Sequence, residues 1–414
     1  MIKIIIIGLI WDGLGDYILT KYIYDSIKEY LPDIFFIMKD KNIQITNKIQ
    51  QLLNNIFHKY KFIRYKDLIK LLKDYTFIFL TSSSYNFDNV YEILCKYYSN
   101  KLNNYRRIFD FGISDIKYYK PSKKIFNCKI EQPLFLQKKH IYYNIYTGFS
   151  KNSLGLLINI PIPKKNIINL FDDYDIYTCY YRTDKYIIRF IEFINIYTTL
   201  QYNIDKKTSK SKLKKSLIFI QGNNFFLNNF IFYKIHDNYT IYKYKNCYII
   251  SSFVSLNQSI ELIYYSNLFV GCQGNLSFSF ALNYNKIPLL EWRENIAQSY
   301  CLMRDFLNEN SFEKILYFIT FLYYKKNITK KNIEFYINSI IQYKNIFIKF
   351  YSFIHKNYSL NKNFSKYFKK MIKNNIIKDD KISYSVNYHP FTKKNKIKKS
   401  LKKTLKLIKT NVKE

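Results

Sequence analysis

Glycine, proline and metal-binding residue pairs are all scarce in this sequence. Only 9 glycines and 7 prolines occur in 414 residues, so a bend that contains two glycines stands out. The five histidines show no H-x-x-x-H spacing and the cysteines form no C-x-x-C pair, so we expect no metal site, no disulfide framework and a reducing cytoplasm. No apolar run is long enough to span a bilayer as a helix. The six cysteines are scattered at positions 95, 128, 179, 247, 272 and 301.

Acidic residues are few as well, 30 against 66 lysines and arginines, which gives a net charge of +36. Such an excess attracts nucleic acid, anionic membranes or acidic substrates. The lysines are spread along the chain together with 43 tyrosines and 35 phenylalanines, a composition that an AT-rich genome produces without selection for a partner. We therefore do not expect a nucleic-acid ligand on charge alone.

Apolar runs and amphipathic segments alternate along most of the chain. Residues 2–8 are a nearly continuous β-branched run, which predicts a central parallel strand, and residues 17–30 predict the helix after it. The alternation of predicted strands and helices continues to residue 111, becomes irregular between 132 and 162, and resumes at 176. Because parallel strands need a crossover that is usually a helix, this pattern predicts a doubly wound parallel α/β fold.

A proline and lysine stretch marks the predicted hinge. Pro161 and Pro163 are followed by Lys164 and Lys165, and such residues interrupt regular structure. We therefore predict an N-terminal domain over 1–163 and a second domain over 172–325, followed by helices over 326–392 and by a basic tail over 393–414.

Two glycine-bearing bends each follow a predicted strand. In the first, Asp12, Gly13, Gly15 and Asp16 come at the carboxyl end of the first strand, where open parallel sheets bind ligands. One positioned carboxylate suffices as a general base. Asp16 could equally be an N-cap for the helix that follows, and Asp12 a solvated turn residue.

The second bend, residues 271–275, lies between an apolar strand at 268–270 and a helix at 277–282. Gly271 and Gly274 allow close approach of another group, and the start of the helix offers free N–H groups to an anion. The next strand, 288–290, ends in Glu291. Turns of this kind also occur in many α/β sheets without a ligand.

Both bends resemble GT-B glycosyltransferases. The second is similar to their donor-binding half, and the first resembles the loop of heptosyltransferases, with GLGD, and of protein-arginine rhamnosyltransferases, with D-N-x-G-D. The resemblance implies two Rossmann-like domains that face a cleft, with C-terminal helices over 326–392 that pack back on the first domain. It assigns the acceptor side to Asp16 as general base and to Asp12 as its supporting partner. It assigns donor binding to Gln273, Asn275, Ser277 and Glu291, with Arg293 as a cationic helper.

The sequence also departs from the rhamnosyltransferase pattern. That family carries R-G-E-D-S in its donor loop, whereas residues 272–277 contain no acid, and Leu154-Gly155 stands where two glycines are expected. The resemblance thus implies a metal-independent glycosyltransferase that uses a nucleotide-sugar as substrate, without a cofactor, and an acceptor that is a glycan, a lipid-linked sugar or a protein side chain. An arginine rhamnosyltransferase-like modifier of a translation factor, a non-catalytic nucleotide-binding or partner-binding descendant, and a membrane-associated scaffold stay open.

The end of the chain is lysine-dense, with apolar residues spaced by three and four. This pattern predicts a basic amphipathic helix that contacts an anionic membrane from the cytoplasmic side. A solvated tail fits the same composition. The apolar positions are Ile397, Leu401, Leu405 and Ile408.

Overall fold

The protein is described by a computed structural model. The residues that it describes are 3–10, 14–38, 50, 53–54, 56–72, 75, 77–81, 107–112, 119–121, 128–130, 142–146, 149, 155–207, 215–222, 230–291, 297–325 and 327–373. All of them belong to one compact unit. Asp12, Gly13, Arg293 and the basic tail at 393–414 lie outside the described residues.

The first sheet has six strands in the order β3-β2-β1-β4-β5-β8, and every neighbouring pair is parallel. The β-branched run at the start of the chain forms its inner strand β1, whose isoleucines 4 to 7 are buried because the sheet is covered on both faces. A separate two-stranded antiparallel pair consists of β6 and β7. The strands are β1 Ile4–Ile10, β2 Asp33–Met38, β3 Lys61–Ile63, β4 Phe77–Thr81, β5 Arg107–Gly112, β6 Tyr119–Pro121, β7 Cys128–Ile130 and β8 Tyr142–Tyr146.

The second sheet has seven strands in the order β11-β12-β13-β10-β9-β14-β15. Five of them are parallel, and an antiparallel hairpin, β11 and β12, extends one edge. The strands are β9 Tyr174–Cys179, β10 Lys215–Gln221, β11 Ile231–His236, β12 Tyr239–Tyr244, β13 Cys247–Ser252, β14 Phe269–Cys272 and β15 Ile287–Leu290. The predicted fold class, with two doubly wound parallel sheets, is confirmed, whereas the hairpin was not predicted.

Helices join the parallel strands and form the C-terminal part of the described chain. They are α1 Leu14–Ile27, α2 Tyr65–Leu72, α3 Asp184–Lys207, α4 Leu256–Tyr265, α5 Asn275–Asn283, α6 Ala297–Glu309, α7 Glu313–Ile319, α8 Phe321–Tyr324, α9 Lys330–Gln342, α10 Lys344–Asn357 and α11 Leu360–Lys373. None of these described helices combines the length and apolarity needed to cross a membrane.

The last helix returns to the first sheet. Phe364 and Phe368 of α11 are fully buried, and their rings lie 5.7 and 5.5 Å from that of Phe79 in β4. The ring of Tyr30, just after α1, lies 5.3 Å from Phe368. Helix α11 therefore packs on the N-terminal half, while the domain bounds stay predictions.

Two segments that connect the sheets run side by side. The backbone N–H of Leu156 donates to the carbonyl of Tyr358 at 2.7 Å, and the N–H of Leu360 donates to the carbonyl of Leu156 at 3.0 Å. Gly155 has φ of +108°, and a Cβ there would lie 2.2 Å from the Tyr358 carbonyl oxygen. The pairing therefore requires glycine at 155, which explains the single glycine of the Leu154-Gly155 pair.

Side-chain hydrogen bonds fasten the first of these segments. The Asn283 Oδ1 of α5 accepts from the backbone N–H groups of Asn159, at 2.6 Å, and Ile160, at 3.1 Å. The Asn159 amide donates to the Ser359 hydroxyl. The fastened segment lies immediately before the predicted proline and lysine hinge.

Several predicted boundaries are wrong. The first helix begins at Leu14 rather than at residue 17, so Asp16 lies inside it and is not its N-cap. Gly271 and Cys272 belong to β14, so the second bend consists of Gln273 and Gly274 alone. The helix after it begins at Asn275, two residues earlier than predicted, because Gly274 takes the extended N-cap conformation.

Candidate functional site

The carboxyl ends of the five parallel strands of the second sheet meet at one edge. In doubly wound sheets this edge is where ligands bind. The residues that directly follow the strands therefore define the candidate site. In sheet order they are Phe253 after β13, Gly222 after β10, Tyr180 after β9, Gln273 after β14 and Glu291 after β15.

Glu291 is fully buried and holds the start of α3. Its carboxylate accepts from the backbone N–H of Arg182 at 2.9 Å and from the hydroxyl of Thr183 at 2.8 Å. The Thr183 carbonyl in turn accepts from the first turn of α3. A buried carboxylate is tolerated when such donors satisfy it. The side chain predicted to contact a donor is thus buried beneath the loop that it holds, and its role in donor binding stays a prediction.

Gly271 and Gly274 differ in whether their surroundings require glycine. A Cβ on Gly271 would lie 2.3 Å from the Cys179 Cβ and 2.7 Å from the Tyr181 Cζ, so β14 can lie beside β9 only with glycine there. Gly274 has φ of −143°, which any residue adopts, and a Cβ there would meet no atom within 4 Å. Among the described residues, no contact therefore gives a steric reason for glycine at 274.

Helix α5 begins directly after Gly274. Its first ordinary helical hydrogen bond runs from the N–H of Phe278 to the carbonyl of Gly274, at 3.1 Å. The N–H groups of residues 275–277 precede that bond and have no partner within the helix, as at every helix start. They carry the positive end of the helix dipole toward the open space beside Gly274.

The predicted donor residues in this bend occupy different environments. Gln273 is buried, with 8% of its surface exposed, and Ser277 is half-buried. The Ser277 hydroxyl donates to the Gly274 carbonyl at 3.2 Å and so helps to shape the bend. Asn275 is the first residue of α5, so its backbone N–H is one of the three at the helix start.

Two exposed aromatic side chains flank a glycine at the same edge. Tyr180 is 40% exposed and Phe253 is 65% exposed, and Gly222 follows the strand between theirs. Gly222 has φ of +78°, and a Cβ there would lie 2.9 Å from the Tyr180 ring. The sequence does not predict that these two rings lie at the ligand-binding edge, because tyrosine and phenylalanine occur throughout the chain.

The turn after β10 lies at the same edge, but the residue that leads into it, Gln221, is internal. The Gln221 amide donates to the Thr178 hydroxyl at 2.7 Å and accepts from the Ser259 hydroxyl at 2.6 Å. Gln221 has 3% of its surface exposed and links β9 to α4 through these hydrogen bonds. Asn223 lies outside the described residues.

The first sheet places its bend at the equivalent edge. β1 ends at Ile10 and α1 begins at Leu14, so Gly15 and Asp16 are the second and third residues of the helix. A carboxylate in the first turn is favoured by the helix dipole. The catalytic roles of Asp16 and Asp12 stay predictions.

Within the described ranges, no three His, Cys, Asp or Glu side chains are grouped so that they could hold a metal ion. The three cysteines described as free, Cys179, Cys247 and Cys272, are buried, and burial raises the pKa of each thiol. These thiols are therefore protonated and unreactive near neutral pH.

Comparison with solved structures finds proteins of similar architecture across nearly the whole chain. UGT2 of Phytolacca americana, in its apo form, aligns with a TM-score of 0.51 at 7% identity, over 90% of this chain and 99% of that one. MnaA of S. aureus, solved with UDP, aligns with a TM-score of 0.47 at 10% identity, over 91% and 97%. UGT89C1 of Arabidopsis thaliana, complexed with UDP-L-rhamnose, aligns with a TM-score of 0.47 at 9% identity, over 89% and 98%. No family model and no curated protein sequence matches the chain.

Proposed function

The chain has the GT-B fold, and from this premise we propose that it transfers a sugar from a nucleotide-sugar donor to an acceptor. The observation that carries the proposal is the open space at Gly274. Neither its backbone conformation nor the packing of the described residues requires glycine there, yet the position adjoins the start of α5. A diphosphate in this space would accept from the helix-start N–H groups without hindrance from a side chain.

The proposed donor lies along the carboxyl edge of the second sheet. Its diphosphate meets the N–H groups of residues 275–277, with Gln273 and Ser277 shaping the bend and Arg293 as the predicted cation. Its base lies near Gly222, where the rings of Tyr180 and Phe253 offer exposed faces for stacking. Glu291 acts as a positioning residue, because it fixes the loop that follows Tyr180.

The proposed chemistry divides between the two sheets. Asp16, supported by Asp12, takes the proton from the acceptor hydroxyl or amide as that group attacks the sugar. Helix-start N–H groups and basic side chains stabilise the leaving diphosphate, so the proposal requires no divalent metal. The acceptor is a glycan, a lipid-linked sugar or a protein side chain, and the basic tail would hold the enzyme near an anionic membrane.

The donor site is tested by thermal unfolding with a panel of nucleotide-sugars that covers several bases. A donor at 100 times its Kd should stabilise the protein by about 2.7 kcal/mol. Gly274→Val places a β-branched side chain in the open space on backbone that suits it, and should abolish that stabilisation while the unliganded protein stays folded. If no nucleotide-sugar stabilises the wild-type protein, the proposal fails.

A second experiment distinguishes an active enzyme from a non-catalytic descendant that only binds the donor. Asp16→Asn should stop hydrolysis or transfer of the stabilising donor and leave the donor-induced stabilisation intact. If the wild-type protein binds a donor but never turns it over with any acceptor class, the binding role replaces the transferase role.

A further inference from the structure

Helix α11 is strongly amphipathic. Its apolar side, formed by Leu360, Phe364 and Phe368, is fully buried. Its sequence, LNKNFSKYFKKMIK, contains five lysines and no acid. Lys362, Lys366 and Lys369 are exposed at spacings of four and three, which places them along one side of the helix. The buried side fixes which side of the helix faces the solvent.

A groove of about 540 Å³ separates α11 from α1. It is lined by Asp25 and Ser26 of α1 and by Lys362, Ser365, Lys366 and Lys369 of α11. Asp25, the one acidic residue among the described lining, is bound by Lys21 of the same helix at 2.6 Å.

The charge in this groove is not balanced. Lys369 lies 3.2 Å from Glu29, at the end of α1. Among the ion pairs of the described residues, neither Lys362 nor Lys366 has a carboxylate partner. The groove therefore presents two unneutralised ammonium groups about one helical turn apart.

An exposed leucine follows closely after the residue that pairs with Lys369. Leu31 is 87% exposed and has φ of +51°. It directly follows Glu29, which pairs with Lys369, and Tyr30, whose ring packs on Phe368. Leu31 ends the short 3-10 turn Lys28–Tyr30, and its backbone N–H donates to the Lys28 carbonyl at 3.0 Å, so the left-handed conformation caps that turn while the side chain faces water.

We propose that Leu31, Lys362, Lys366 and Lys369, together called the α11 basic surface, dock on an anionic phospholipid bilayer. The ammonium groups meet lipid phosphates, and Leu31 enters the boundary between headgroups and acyl chains. An exposed leucine beside the lysines favours a bilayer over a nucleic acid, since a polyphosphate backbone offers it no apolar partner. The surface is distinct from the donor edge of the second sheet.

The experiment measures co-sedimentation of the full chain with vesicles of phosphatidylglycerol and phosphatidylcholine. The double variant Lys362→Glu/Lys366→Glu should bind these vesicles roughly thirtyfold more weakly or worse, since each lysine near an anionic surface contributes about fivefold. The matched control is Lys344→Glu/Lys349→Glu on α10, which changes the net charge equally at exposed positions. An equal loss in both variants, or no loss in the first, would overturn the proposal, because overall charge or the basic tail would then explain binding.

Leu31→Asn tests the apolar contact separately. Asparagine tolerates the left-handed conformation, so the variant should fold, which its thermal unfolding curve checks. It should lose most of the vesicle binding that survives in high salt, where the charge attraction is screened. Unchanged binding in high salt would contradict the insertion of Leu31.

If the α11 charge variant weakens binding to duplex DNA and not to vesicles, the bilayer is the wrong partner. Donor-induced stabilisation should be the same in all four proteins, so a failed donor site does not affect this test.

Discussion

Gly271 lies in β14 and Gly274 lies three residues later, just before α5, and the contacts of the described residues require only the first to be glycine. The first lets β14 pack against Cys179 and Tyr181, and the second adjoins space that no described residue fills. A structural role and a ligand role for glycine can therefore be separated by substitution at these two positions.

Gly271→Ala should lower the free energy of unfolding by about 1–3 kcal/mol, because the new methyl group overlaps the backbone-linked Cβ of Cys179. Gly274→Ala should cost less than about 1 kcal/mol, the usual difference between these residues at an N-cap. Urea denaturation of both variants measures the difference. Equal losses would mean that the space beside Gly274 is filled.

Individual side chains were the hardest features to predict. The sequence places Glu291 correctly at a strand end, but an acid there looks the same whether it faces a ligand or the loop of Thr183. Tyr180 and Phe253 carry no distinguishing signal in a chain with 43 tyrosines and 35 phenylalanines. Contacts between residues a hundred positions apart decide these roles, and no local pattern records them.

At the scale of elements, Glu291 links the end of β15 to the start of α3. Glu291→Gln keeps the shape of the side chain but weakens its bonds to the Arg182 N–H and the Thr183 hydroxyl. Because hydrogen bonds to charged groups contribute about 1.5–3 kcal/mol, we expect a loss of about 2 kcal/mol in the free energy of unfolding.

Donor binding by Glu291→Gln gives the second measurement. If Glu291 acts on the donor only through the loop, the variant should bind the donor more weakly while still reaching saturation. Unaltered stability together with abolished binding would instead favour direct contact between Glu291 and the ligand.

Elements with a strong period were predicted well. Strands β1 and β15 lie within two residues of their expected bounds, because burial on both faces demands apolar runs. The β11 and β12 hairpin was missed. Its turns use Asp237 and Lys245 with positive φ rather than glycine, and its edge strand exposes Ile231, Phe232 and Ile235, so it lacks the alternation of a half-buried strand.

For the whole molecule, the abundance of buried tyrosine predicts sensitivity to alkali. Burial raises the pKa of Tyr317 to about 12 and raises that of Tyr336, whose hydroxyl donates to the Phe318 carbonyl. Burial likewise raises the pKa of the Cys247 thiol to about 12. In the unfolded chain these groups lose their protons near ordinary values, so between about pH 9 and 12 the unfolded state binds fewer protons than the folded state.

The free energy of unfolding should therefore be steady up to about pH 9 and should fall as the pH rises toward 12, by roughly 1.4 kcal/mol for each pKa unit of each group. Urea midpoints measured across this range, with tyrosinate absorbance followed in parallel, check the trend. A midpoint that stays constant to pH 12 would show that these side chains are hydrated.

The two crossings between the sheets constrain how the molecule can move. Residues 155–160 and 358–360 are bonded to each other along a short line. Rotation of one half about that line therefore keeps those hydrogen bonds, whereas sliding of one half past the other would break them. Rotation about these paired segments is therefore the motion with the lowest free-energy cost.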